Sequence, residues 1–183
     1  MKVGTIIFCN AYPGSFLSKA IRFFTNSNLT HAMYSVEDYM NRQQVFSAEI
    51  NMEVLPYDSF SWEQQFLYEW IGVDEQFLIN TTRDQVKQWV GDGYAILRFT
   101  WFMWVWLVKK LGRKDVKKMN NWFPRHNECG TLTSRMIYAV ACKYFPDLKS
   151  ELDQWYIENI NQYDLYQIVN KYPNIFKFVE RVN

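Results

Sequence analysis

An α+β fold is what this sequence predicts, on three observations. The runs HAMYSV (31–36) and VFSAEI (45–50) alternate in polarity and flank a polar stretch, which reads as an antiparallel pair of strands. A helical period is clear from Thr82 and again from Cys129. Hydrophobic residues make up 49% of the 183 and charged residues 21%, so one core can offset the entropy of ordering one domain, 1–183.

In chain order, VGTIIF (3–8) is rich in β-formers and is stopped by a turn cluster from Asn10 to Gly14. Ser15 then serves as an N-cap for a helix carrying Leu17, Ile21 and Phe24, which ends in the polar Thr25-Asn26-Ser27-Asn28. Strand alternation puts His31, Met33 and Ser35 on one face, and Val45, Ser47 and Glu49 on one face, with EDYMNRQQ as the connection. From Pro56 to Asn80 the pattern is mixed and reads as a polar helix near Asp58 to Phe66, then a strand or two. Thr82 to Gln85 has capping-box spacing ahead of Val86, Trp89 and Val90, and Gly91-Asp92-Gly93 closes that helix.

The run FTWFMWVWLV (99–108) carries no charge and continues a helix from near Tyr94. It falls short of the ~20 apolar residues that a bilayer span needs. Six Lys or Arg follow within 109–118, so peripheral membrane contact through 99–118 is one reading, and a buried helix followed by a solvated loop is the plainer one. A last clear helix runs from Cys129 to about Phe145, where Pro146 stops it, with Leu132, Met136, Ala139 and Val140 on its buried stripe. A turn and a short helix from Asp164 complete the chain.

A formal net charge of +1 supplies no field for nucleic acid, so partners must come from local features. Three cysteines without paired spacing argue against a disulfide framework and against a zinc site, and fit a reducing compartment. The short apolar run at the N-terminus is too brief for a secretory signal, which reads as cytoplasmic when synthesised.

Chemistry points to Cys129. A thiol in the first turn of a helix meets unpaired N–H groups and the positive end of the helix dipole, both of which favour the thiolate. With a neighbouring imidazole, such placement lowers a thiol pKa from ~8.5 into the range ~3.5 to 7.5. Gly130, Thr131 and Thr133 keep that turn small, and the Cys129 N–H is a candidate oxyanion donor. Cys142, mid-helix, and Cys9, at the end of an apolar strand, read as packing residues. Of the two histidines, His126 lies awkwardly close to Cys129 in an irregular approach, whereas His31 opens a strand that can pack across the helix start.

The stretch GTIIFCNAYPGSFLSKAIRFFTNSNLTHAMYSV resembles the opening of the YiiX-type, circularly permuted papain-like hydrolases of the NlpC superfamily. Those typically show a strand beginning Gly-Asp, a short helix, a Thr-x-Ser turn and Ser-His before a small residue. Here Thr25-Asn26-Ser27 and Thr30-His31-Ala32 match, with Thr5 where the acidic residue is common. VFSAEINMEVLPYDSF resembles the second core strand and GYAILRFTWFMWVWLVKKLGRK the Tyr-led apolar helix. NNWFPRHNECGTLTSRMIYAV resembles the approach to the nucleophile and QYDLYQIV the closing segment, so the similarity spans nearly the whole chain. After its cysteine the family commonly has Ser and an acidic residue, where this chain has Gly130 and Thr131.

The resemblance implies a permuted papain-like fold, Cys129 as nucleophile, His31 as base and a third residue orienting the ring. Ser47 sits nearest the usual position, and Glu49, two residues on, faces the same way. Glu49 is preferred, because a carboxylate both orients the ring and stabilises the imidazolium. The expected activity is amide hydrolysis, for example of cell-wall peptides, without metal or organic cofactor. Cell-wall peptides would be met only after delivery, as within a phage particle. Two alternatives stand beside it: a lipid-directed thiol acyltransferase, as in the related lecithin retinol acyltransferase-like branch, and a silent binding or virion protein. Nothing in the sequence fixes the oligomeric state.

Overall fold

The computed structural model describes residues 1–10, 19, 22–23, 27–48, 52–60, 62–91, 104, 107–108, 110–112, 129–155, 157 and 160–182. Their centre is a six-stranded antiparallel sheet of β1 (Ile6–Asn10), β2 (His31–Tyr39), β3 (Arg42–Ala48), β4 (Met52–Pro56), β5 (Gln64–Trp70) and β6 (Phe176–Val182). The strand order is β4-β3-β2-β1-β5-β6, so β2 and its neighbours lie inside the sheet and the chain's last strand forms one edge. Helices α1 (Glu75–Trp89), α2 (Cys129–Tyr144), α3 (Pro146–Leu152) and α4 (Gln162–Lys171) complete the described elements.

Period-two alternation sorts the sheet's side chains into two clusters. Ile6, Phe8, Ala32, Tyr34, Phe46 and Ala48 pack with Leu132, Met136, Ile137 and Val140 of α2. Ile7, Cys9, Met33, Val45 and Leu67 point the other way, under Tyr57, Phe60 and Trp62 of the β4–β5 connection. Helix α2 lies on β2 and β3 and carries the other three helices against it. Removing a large apolar side chain of this kind from water contributes about 1.5–3 kcal/mol, so the α2–sheet contact dominates the fold's stability.

Several sequence expectations shift. The first strand is Ile6–Asn10 rather than 3–8, because Gly4, at φ +78°, turns the chain so that its N–H donates to the Ser35 carbonyl. The polar stretch 37–44 is not a long connection. Residues 37–43 are the exposed ends of β2 and β3, closed by a two-residue turn in which Met40 and Asn41 are both left-handed, and Gln44 is already buried. Strand ends beyond the helix layer have no apolar face to show, which is why they resemble a loop. Instead of a polar helix near Asp58, the chain makes a 3₁₀ turn, Tyr57–Ser59, and then β5.

Helix α1 starts well before Thr82: Asp74 is the N-cap, accepting from the Phe77 N–H at 2.8 Å, and Thr82 sits mid-helix with its hydroxyl donating to the Ile79 carbonyl. A local cap ahead of the apolar stripe overrides the capping-box spacing. Pro146 ends α2 and also opens α3, as its fixed φ suits the first helical position. The last helix begins at Gln162, where Asn161 accepts from the Tyr163 and Asp164 N–H groups. The helix expected over 15–24 lies outside the described residues except for helical 19, 22 and 23, and of the run from Tyr94 only 104, 107, 108 and 110 are described, all helical. Among the described residues no helix is long and apolar enough to cross a membrane.

Candidate active site

His31 is the first residue of β2, and its position is set by backbone bonds on both sides. The Thr30 N–H donates to the Cys9 carbonyl at 2.9 Å, and the Gln162 side chain reaches from the start of α4 to the Leu29 carbonyl at 3.4 Å. Register then places Cys9 of β1 directly opposite His31, and the pairing of Tyr34 with Phe46 brings Ser47 of β3 onto the same face. The His31 Nε2 and the Ser47 hydroxyl lie 2.8 Å apart, in a site where His31 is 6% exposed and Ser47 is fully buried. Trp62 stacks on the imidazole at 5.1 Å with 15° between planes, and Phe60 stacks on Trp62 in turn.

This arrangement fixes the ring in position and rotation. A hydroxyl on Nε2 orients it, the indole plane holds it flat, and an aromatic face is a favourable neighbour for an imidazolium formed during reaction. Beyond Cys9 the row continues to Gln65 on β5, the strand partner of Cys9, whose Oε1 accepts from the Tyr57 hydroxyl at 2.5 Å. Burial pushes the Tyr57 hydroxyl above its ordinary pKa, the charges of Cys9 and Glu180 add to this, and the Gln65 bond opposes it. Ser47, His31, Cys9 and Gln65 thus form a polar row across four strands, roofed by aromatic side chains.

Cys129 begins α2 and is 1% exposed. Gly130, Thr131, Thr133 and Ser134 of the same turns are buried, and the Ser134 hydroxyl donates to the Gly130 carbonyl at 2.7 Å. From Cys129 on, the first turn of α2 carries no acidic side chain. Cys129 belongs to the cluster between sheet and helices, with Ala32 and Leu132. The His31 ring, by contrast, lies with Ser47 and Trp62 on the other face. The sulfur thus lies on the helix side of the sheet and the His31 ring on the other side, with the start of α2 packed on β2.

Of the expected third residues, Ser47 is beside the ring, while Glu49 lies outside the described residues, as does His126. Cys9 is buried, as expected of a packing residue, but Cys142 is exposed on the outer side of α2, which corrects its reading as a core residue. Trp62, Tyr57, Gln65 and Gln162 were not anticipated. Gln65 shares a strand face with the apolar Leu67 two residues on, and that spacing was the signal that could have found Gln65, whereas the Trp62 stack depends on the β4–β5 connection folding back over the sheet.

In fold, the chain is similar to the solved structure of the metalloprotein YiiX from Escherichia coli O157:H7, a DUF1105 protein, with a TM-score of 0.55 and 17% identity. The match covers 76% of this chain and 66% of that one. No protein-family model matches the chain, and no curated protein does. The chain has a YiiX-like α+β fold. Among its described residues, no three His, Cys, Asp or Glu side chains converge to hold a metal ion.

Proposed function

We propose that this protein is a thiol-dependent hydrolase of amide bonds, with Cys129 as nucleophile, His31 as base and Ser47 as the residue that orients the ring. The observation that carries the reading is the buried imidazole held by Ser47 at 2.8 Å. Holding a buried histidine between a hydroxyl and an indole plane gains little for stability over an apolar pair, and it is the arrangement a directed proton transfer needs. Support for the sulfur comes from its place at the start of a helix that packs on the His31 strand, and from the resemblance and fold similarity to YiiX-type proteins.

In this reading the Cys129 sulfur attacks the carbonyl carbon while His31 accepts the thiol proton. The tetrahedral adduct collapses as His31 returns that proton to the leaving nitrogen. Water, deprotonated by His31, then releases the acid and regenerates the thiol. Ser47 orients the imidazolium without neutralising it, so acyl transfer is expected to be slower than with a carboxylate in that place. Cell-wall peptides are the substrate class we propose from the resemblance.

A second reading keeps His31 and Ser47 but takes Cys9 as the thiol, since Cys9 is the direct cross-strand partner of His31 on the same face. Side chains of such a pair leave the backbone only about 5 Å apart. Hydrolysis of peptidoglycan fragments by the full chain, with Cys129→Ala, Cys9→Ala and His31→Ala variants, separates the cases. Turnover lost in Cys129→Ala and His31→Ala but kept in Cys9→Ala supports the first reading, and the reverse cysteine pattern supports the second. A folded chain with no turnover of amide or ester substrates would instead favour a silent binding protein.

A further inference from the structure

The end of the sheet remote from His31 holds a cavity of about 200 Å³. Thr5, just ahead of β1, lies in its wall, whereas Cys9, the partner of His31, is four residues on, about 13 Å away at the rise of a strand. The lining combines the apolar side chains of Trp70, Val73 and Leu78 with the charged Lys2, Glu69 and Glu75. Sites for drug-sized ligands span roughly 300–1,000 Å³, so this one suits a ligand of only a few heavy atoms.

The N-terminal segment in the wall is tied down. The Lys2 carbonyl accepts from the Thr5 N–H and from the Thr5 and Ser35 hydroxyls. Gly4, at φ +78°, presents its carbonyl to the Trp70 indole N–H at 3.0 Å, and a Cβ there would meet Met136 at 2.9 Å and Leu78 at 3.2 Å. Trp70 packs in turn on Phe145 and Phe176, so with its N–H already spent it contributes carbon surface to the cavity. A site formed in advance loses little to ordering when it binds.

Charge selects the ligand. The Lys2 ammonium pairs with Glu69 at 2.8 Å, and the Glu69 side chain is 17% exposed against 73% for Lys2. Glu75, the first residue of α1, has no ion pair among the described residues, and the positive end of that helix is already answered by its N-cap, Asp74. Lys2 registers the local field: the hydrogen bond and charge of Glu69, and then the charge of Glu75, raise its pKa above the ordinary value, against desolvation. Two carboxylates facing one ammonium leave the cavity one positive charge short of neutral. An anion would meet both carboxylates, and a zwitterion would have to bring a third beside them.

We infer that this cavity is a binding site for a small organic monocation, a primary alkylammonium whose nitrogen lies between Glu69 and Glu75 and whose short stem packs against Trp70, Val73 and Leu78. It is separate from the His31 row, and the inference holds whether or not that row is catalytic.

Titration of the full, nitrogen-15-labelled chain with isobutylammonium chloride tests it, read by NMR at the Trp70 indole N–H and the Thr5 amide. Saturable shifts confined to this end of the sheet are expected, with a Kd of about 1 mM for so small a ligand. Glu75→Gln, at an exposed position outside the core, should weaken binding about fivefold or more, and Glu69→Gln about tenfold, each with an unfolding curve close to that of the parent chain. Valine, which adds a carboxylate to the same amine, and isobutyrate, which replaces the amine by a carboxylate, should each bind at least about tenfold more weakly. Shifts that do not saturate, that scatter over the surface, or that are indifferent to both Gln variants would overturn the inference. So would valine or isobutyrate binding as tightly as the amine, since the cavity would then be reading an anion.

Discussion

The two faces of the sheet are built for different ends. On the helix side, Phe8, Tyr34, Phe46, Leu132, Met136 and Ile137 are fully buried and apolar but for one hydroxyl. On the other side the same strands contribute Cys9, His31, Ser47 and Gln65 in a row, covered by the aromatic side chains of the β4–β5 connection. Close packing of large side chains gives the first face most of the molecule's stability. Polar groups on the second cost desolvation and return only modest net energy through their hydrogen bonds, so selection for stability alone would have replaced them. The difference teaches where to look for chemistry: on the face that is less stable than it need be.

Substitutions on the two faces should therefore separate stability from activity. Phe46→Ala, on the helix side, should cost about 3–5 kcal/mol in denaturant unfolding, and the whole site should be lost with the fold. A loss under about 1 kcal/mol would mean that the helix face is not the principal core. His31→Ala, on the other side, should slow thiol chemistry by about 100-fold or more in a rate assay while lowering stability far less than Phe46→Ala. Equal effects of the two on the unfolding midpoint would erase the contrast.

Smaller effects sharpen it. Ser47→Ala removes the hydroxyl that orients the ring and should reduce the rate about tenfold, with a stability change near 1 kcal/mol. A rate unchanged by Ser47→Ala would shift the orienting role to another residue. Tyr34 gives the smallest change and the one with a pH signature. Its hydroxyl is buried with no hydrogen-bond partner among the described residues, and burial pushes its pKa well above the ordinary value. Above about pH 10 the unfolded chain loses this proton while the folded chain keeps it. The unfolded state then binds fewer protons, and stability falls as pH rises. Tyr34→Phe should leave stability at neutral pH unchanged or raised by up to about 1 kcal/mol, and should flatten the alkaline fall in urea unfolding.

Much of this was legible in the sequence where the signal was local. His31 opening a strand and Ser47 sharing its face follow from two-residue alternation, and the helix beginning at Cys129 follows from an apolar stripe behind a turn of small residues. What escaped depends on contacts distant in sequence. Strand β6, FKFVERV, has five consecutive exposed residues and is a strand only because β5 supplies its hydrogen bonds. Trp62 lies on His31 through the return of the β4–β5 connection, which no period encodes. The Thr82 capping-box spacing was misleading because Asp74, earlier in the chain, caps the same helix.

The central claim is that His31 activates one particular sulfur. Peptide mapping after brief reaction with a limiting electrophilic thiol probe tests it most directly, with the labelling rate of each cysteine measured in the native chain and in His31→Ala. The account predicts fast labelling at Cys129 that falls about 100-fold in the variant, with exposed Cys142 reacting slowly and equally in both. Labelling of Cys129 at the same rate in both chains, or His31-dependent labelling found at Cys9 instead, would contradict it.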